Sequence, residues 1–141
     1  MIKTAFSRFD EGIPLEIIES DDIVNSFRIM GKGYIGFAID NPNIYRMMFG
    51  HEVQEQREES CDIENPDEYI GFHKLIALVQ KAQDANLFKK DDPLLQATVI
   101  WAMMHGLSNL LIDGHIIIKD NLDALFDLSF ITIIDGLKNN N

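Results

Sequence analysis

The chain has 141 residues, 46% hydrophobic and 25% charged, the proportions of one ordinary folded domain. Its formal charge is −11, from 23 acidic and 12 basic side chains, and its longest basic run is Lys89-Lys90. That excludes phosphate-led nucleic-acid binding by these residues and sets them against an anionic membrane surface. The lone cysteine, Cys61, rules out an internal disulfide and suits a reducing cytoplasm. Met1 to Arg8 lack the apolar run of a signal peptide.

In chain order, Met1 to Gly12 carries Ile2, Ala5, Phe6 and Phe9 at helical spacing and reads as the tail of a longer connecting helix. Residues 13–141 then form the domain proper. From Asp21 to Asp40, the residues Ile23, Phe27, Met30, Tyr34 and Phe37 share one helix face, with Ser20 as N-cap and Asp21 and Asp22 at the positive end of the dipole. Asn41-Pro42 stops that helix and starts a short one to Phe49, closed by Gly50. Residues 51–64 are polar and acidic without a period, a mobile surface loop. Asn65-Pro66 repeats the start signal, and Tyr69, Phe72, Ile76 and Val79 follow on one face to about Phe88. Asp92-Pro93 starts a fourth segment. Leu94 to Ile112 has no charged residue, Gly114 stops it, and a last helix runs from Leu122 to Leu137. Ile116-Ile117-Ile118 is ambiguous and no segment alternates as a strand should, so the fold class is all-α.

Three patterns invite chemistry. Gly31-Lys32-Gly33-Tyr34-Ile35-Gly36 matches the G-x-G-x-x-G of dinucleotide folds, but it lies inside a helical period with no strand before it. Close helix packing, or room for a ligand, is the better reading. The uncharged helix approaches the length a bilayer needs, yet Gln96, Thr98, His105, Ser108 and Asn109 interrupt it and no basic flank anchors it. His105 and Ser108 share a face, as an imidazole and a nucleophile would, but no orienting third group or oxyanion donor accompanies them. The four histidines show no ligand spacing, so neither a metal nor a cofactor is called for, and catalytic residues are not assigned.

The uncharged helix has two stripes. Leu94, Thr98, Trp101, His105 and Ser108 are assigned to the domain interior, and Leu95, Val99, Ala102, Gly106 and Leu110 to a subunit contact. The last helix, with Leu122, Leu125, Phe126, Leu128, Ile131, Ile133 and Leu137, is more apolar than one core contact requires. A two-fold homodimer is the expectation, with Val99, Ala102, Gly106, Leu110, Leu122, Leu125, Phe126 and Ile133 at its interface. Tyr34, Phe37, Tyr45, Met48, Phe72, Ile76, Trp101, Met104 and His105 are aromatic or soft and fall on helices that should pack together. They either line an apolar small-molecule pocket or simply fill the core.

Two stretches decide between these. Tyr34-Ile35-Gly36-Phe37-Ala38-Ile39-Asp40-Asn41-Pro42-Asn43-Ile44-Tyr45-Arg46-Met47-Met48-Phe49-Gly50 and Trp101-Ala102-Met103-Met104-His105-Gly106-Leu107 resemble the C-terminal domain of a subgroup of TetR-like transcriptional regulators with a Trp…His-Gly signature. The order of elements agrees from about Ile23 to Leu137. The resemblance implies a helical bundle of about six helices, dimerised through its last two helices, that senses a small, mostly apolar effector. It also implies a bacterial, cytoplasmic repressor that touches DNA only through an N-terminal helix-turn-helix, which this sequence lacks, and no membrane. Trp101 and His105 take the signature positions beside the cavity, with Tyr34, Phe37, Tyr45 and Phe72 opposite. The alternative is a stand-alone helical adaptor that dimerises without binding DNA.

Overall fold

Helix termini in this chain fall where backbone chemistry demands them. The computed structural model describes residues 21–49, 70–114 and 121–140. Within these it holds α1 (Ile23–Asp40), α2 (Pro42–Phe49), α3 (Ile70–Asp84), α4 (Pro93–Ile112) and α5 (Leu122–Leu137). The all-α expectation holds: among the described residues the sole strand-like pairing is one isolated bridge, Phe88 with Lys138. The connecting-helix tail, the loop at 51–64, the Asn65-Pro66 start and Ile116 to Ile118 lie outside the described residues.

Asp22, not Ser20, caps α1: its carboxylate accepts from the Asn25 N–H at 3.1 Å, satisfying one of the orphan donors of the first turn. Asp92 does the same for Leu94 at 2.9 Å, with Pro93 pre-set at the first helical position of α4. At the far end Gly114 takes φ +74°, the left-handed geometry glycine accepts without cost. The predicted end of α3 at Phe88 is corrected to Asp84. Asn86 turns to φ 60° and the Leu87 N–H reaches back to the Ala82 carbonyl at 2.9 Å, closing the helix. Asn tolerates that region far better than branched residues do.

The early stop has a packing consequence. Phe88 leaves the helix, is almost fully buried, and stacks on Phe27 of α1 at 5.2 Å between centroids. Its neighbours pin the end of α5: the Lys89 N–H donates to the Leu137 carbonyl and the Asn139 N–H to the Leu87 carbonyl. The α3–α4 turn is held by two buried amides. Gln83 donates to the Asp91 carbonyl and to Gln96 Oε1, each at 2.9 Å, while Gln96 donates to the Lys89 carbonyl at 2.8 Å. This accounts for a glutamine in an apolar helix: buried polar groups persist where every bond is made.

α4 lies against α1 and α3, and α5 packs on α1 and α4. Phe27 and Met30 of α1, Leu78 and Val79 of α3, and Ala97 and Ile100 of α4 meet in the core. Although α4 carries no charge, only one edge of it is buried: Gln96, Ala97, Ile100, Met104 and Ser108. The inward stripe expected from the sequence is therefore rotated. Leu94 and Thr98 are exposed, Trp101 and His105 are half-buried, and only Ser108 is fully enclosed. α4 is long and apolar enough to cross a bilayer on length and composition alone, but here its buried edge packs against protein.

Candidate functional site

α1, α2 and α4 converge on a cluster of aromatic rings threaded by hydrogen bonds. Asn41 ends α1, its N–H on the Phe37 carbonyl at 2.8 Å, and its own carbonyl accepts the Tyr45 N–H, so the chain turns at once into α2. Arg46 then ties α2 to the end of α4, donating to the Ile112 carbonyl at 2.8 Å and pairing with Asp113 at 3.1 Å. That clamp is half-exposed and contributes little energy, but it fixes the register that turns Tyr45 inward.

Tyr34 and Tyr45 are buried with their hydroxyl oxygens 2.7 Å apart. Trp101 Nε1–H donates to the Tyr34 oxygen at 3.0 Å, and the Tyr45 oxygen lies 2.5 Å from His105 Nδ1. An indole N–H can only donate, so the oxygen of Tyr34 accepts there, and the Tyr34 and Tyr45 hydroxyls share a hydrogen bond that either can donate. Tyr45 and His105 Nδ1 share the next hydrogen bond, its direction set by the imidazole tautomer. On its other side the imidazole meets Asn109, whose Nδ2 lies 3.0 Å from His105 Nε2. Phe49 packs edge-on against Trp101 and His105 and tilts onto Tyr45 at 4.9 Å, while Phe72 tilts onto Trp101 at 4.8 Å.

Burial sets the protonation states. Enclosure pushes the Tyr34 phenol up to about 12, against hydrogen bonds from Tyr45 and Trp101 that favour its ionised form. Tyr45 is raised further by burial and by the neighbouring Tyr34. Burial lowers His105, favouring the neutral ring. The cluster is thus uncharged at neutral pH and can exchange hydrogen bonds without moving charge.

Of the nine residues expected around a pocket, Tyr34, Tyr45, Phe72, Trp101 and His105 come together here, and Met48 is completely buried beneath α2. Phe37 and Ile76 sit half-buried at the edge of the core. Met104 instead turns to Gly31, its sulfur 3.6 Å from where a β-carbon would stand. Phe49 and Asn109 belong to the cluster but are not among the nine. Both stand four residues after a cluster member, Tyr45 and His105, a spacing that places them on the same helix face. The His105–Ser108 pairing is not formed: Ser108 is fully enclosed, its hydroxyl beside Tyr45.

The other sequence-derived surface divides. Val99, Ala102 and Leu110 on α4 and Leu122 on α5 are exposed, as are Leu95, Leu128 and Ile131, whereas Gly106, Leu125 and Ile133 are half-buried. Phe126 departs from the interface expectation. It is 7% exposed, stacks on Phe130 at 6.1 Å and lies 3.3 Å from where a β-carbon on Gly31 would be, so it packs α5 onto α1.

A family model described as the tetracyclin repressor-like C-terminal domain matches residues 27–131. The chain belongs to this family. TetR-like domains of this kind are regulator domains rather than enzymes, and they generally dimerise and bind small-molecule effectors. A solved structure of a protein with unknown function from Rhodococcus sp. RHA1 shares the fold with a TM-score of 0.78 at 17% identity, covering 97% of this chain and 70% of that one. No curated protein matches the chain.

Proposed function

We propose that this TetR-like domain is the sensing and dimerisation half of a transcriptional repressor, acting as a cytoplasmic homodimer. The observation that carries the reading is the uncovered apolar face of α4 and α5, where Leu128 is 65% exposed and Leu95 58%. Leu95, Val99, Ala102, Gly106 and Leu110 recur at helical steps along α4, and Leu128 and Ile131 extend the surface on α5. Leaving such side chains in water forgoes roughly 1.5–3 kcal/mol each, and a stable two-fold contact needs about 800 Å² per partner.

In this reading a small, mostly apolar effector contacts Trp101, His105 and Tyr34, taking over one of the hydrogen bonds that now link them. Because α4 carries both Trp101 on one side and Val99 and Ala102 on another, displacement at the cluster is felt at the subunit contact. An effector that prefers one dimer geometry shifts the population toward it, and a DNA-reading half attached to the domain would follow. Contact with DNA belongs to such a half, because these residues lack the basic surface for it.

Sedimentation velocity at micromolar concentration tests the dimer: the chain should run as a dimer and Ile131→Glu as a monomer with unchanged helicity. A wild-type monomer under those conditions would remove the foundation of the proposal. Trp101 is the single tryptophan, so quenching of its emission by an effector, lost in Tyr34→Phe, reports the sensing step.

A further inference from the structure

A recess lies away from the aromatic cluster. Between α1, α4 and α5 is a hollow of about 240 Å³ walled chiefly by Ile35, Gly36, Ile39, Leu107, Leu111 and Phe126, with Lys32 and Asp123 at its rim. None of Tyr34, Tyr45, Trp101 and His105 borders it.

Its walls carry two features that packing does not explain. Gly36 sits in the interior of α1, where glycine costs about 1 kcal/mol against alanine. A β-carbon there would meet nothing within 4 Å, whereas one at Gly31 would meet the Phe126 ring at 3.3 Å. Close approach of helices therefore accounts for Gly31 and not for Gly36. The second feature is Lys32. Its ammonium stands 5.6 Å from the centre of the Phe126 ring, and among the described residues no carboxylate lies within 4 Å of it. Asp123 has a local role: it occupies the first turn of α5, a helix whose N-cap Asn121 makes no side-chain bond, and there the helix dipole favours its charge.

We propose that this hollow binds a small apolar carboxylate, with its alkyl or aryl body against Ile35, Gly36 and Leu111 and its carboxylate on the Lys32 ammonium. The volume is just below the ~300 Å³ at which pockets for drug-sized ligands begin, which fits a fragment-sized molecule. The carboxylate pairs with the Lys32 ammonium, and a neutral ligand of equal length gains only the burial of its tail. The site is separate from the aromatic cluster, although Leu122 and Leu125 of the expected subunit contact also border it.

The test uses the whole chain with octanoate and, as the uncharged match, 1-octanol, followed by calorimetry and backbone amide shifts. Octanoate should perturb Gly36, Leu111 and Phe126 and bind about tenfold more tightly than octanol, an advantage that Lys32→Gln erases. Gly36→Leu, which fills the hollow, should abolish binding while helicity and melting are kept. If that variant fails to fold, Lys32→Gln decides alone. The proposal is overturned by no binding at millimolar octanoate, by equal affinity for octanol, or by octanoate affinity unchanged in a folded Gly36→Leu or in Lys32→Gln. Shifts gathered at Trp101 and His105 also overturn it, and would assign the carboxylate to the aromatic cluster instead.

Discussion

His105 couples the aromatic cluster to pH, and the sign follows from its burial. Its folded pKa lies below the ordinary value near 6.5 because the enclosed ring resists charging. The unfolded chain therefore takes up a proton that the folded chain refuses. Stability from this group is complete above about pH 6.5 and is lost as pH falls through the folded value. Urea unfolding at pH 7.5 and pH 5 should show a larger drop for the wild type than for His105→Asn, whose amide does not titrate and can still bond to Tyr45. Equal drops would mean that His105 is not the group that resists the proton. Tyr45→Phe should cost about 1–3 kcal/mol at pH 7.5, since it strands the bonds to Tyr34 and His105 that its hydroxyl joins. The participants were legible in the sequence because tyrosine, tryptophan and histidine are rare choices for apolar helix faces. Their mutual bonding was not, because it depends on α2 folding back through Asn41 and Arg46, a tertiary event that no local pattern encodes.

At the scale of the helix, two glycines five residues apart make opposite predictions. Gly36→Ala should stabilise the fold by about 1 kcal/mol, because its β-carbon meets open space and alanine restricts the unfolded chain. Gly31→Ala should gain less or destabilise, because the Phe126 ring at 3.3 Å has to move and Met104 stands behind it. Thermal unfolding of the two variants side by side checks this, and equal shifts would mean that α5 does not press on α1 at Gly31. The starts of α2 and α4 could be read from the sequence because caps and proline starts are local chemistry, and the bounds of α5 followed its apolar run. Two features could not. The end of α3 was masked by Phe88, whose apolar side chain continues the helical period although Asn86 has already turned the chain. The burial phase of α4 was hidden because a helix without charge offers no polar face to contrast with the apolar one.

For the molecule as a whole the question is what covers α4 and α5. Within one chain Phe126, Phe130 and Ile134 seal α5 against its neighbours, and Leu128 and Ile131 point away from them. If two chains bury that face together, folding and association are linked, and the melting temperature must rise with protein concentration. A hundredfold increase in concentration should raise it by several degrees, since each extra kcal/mol is worth roughly 4–8 °C in a domain near 100 residues and somewhat less in a longer one. Ile131→Glu places a charge in the contact. It should melt lower than the wild type and at the same temperature whatever the concentration, because its unfolding no longer involves a partner. The substitution is informative because Ile131 is exposed within its own chain, so a glutamate there disturbs no internal packing. A concentration-independent wild type with a matching Ile131→Glu would show that the apolar face remains in water, and the dimer, together with any signal passed through it, would have to be given up.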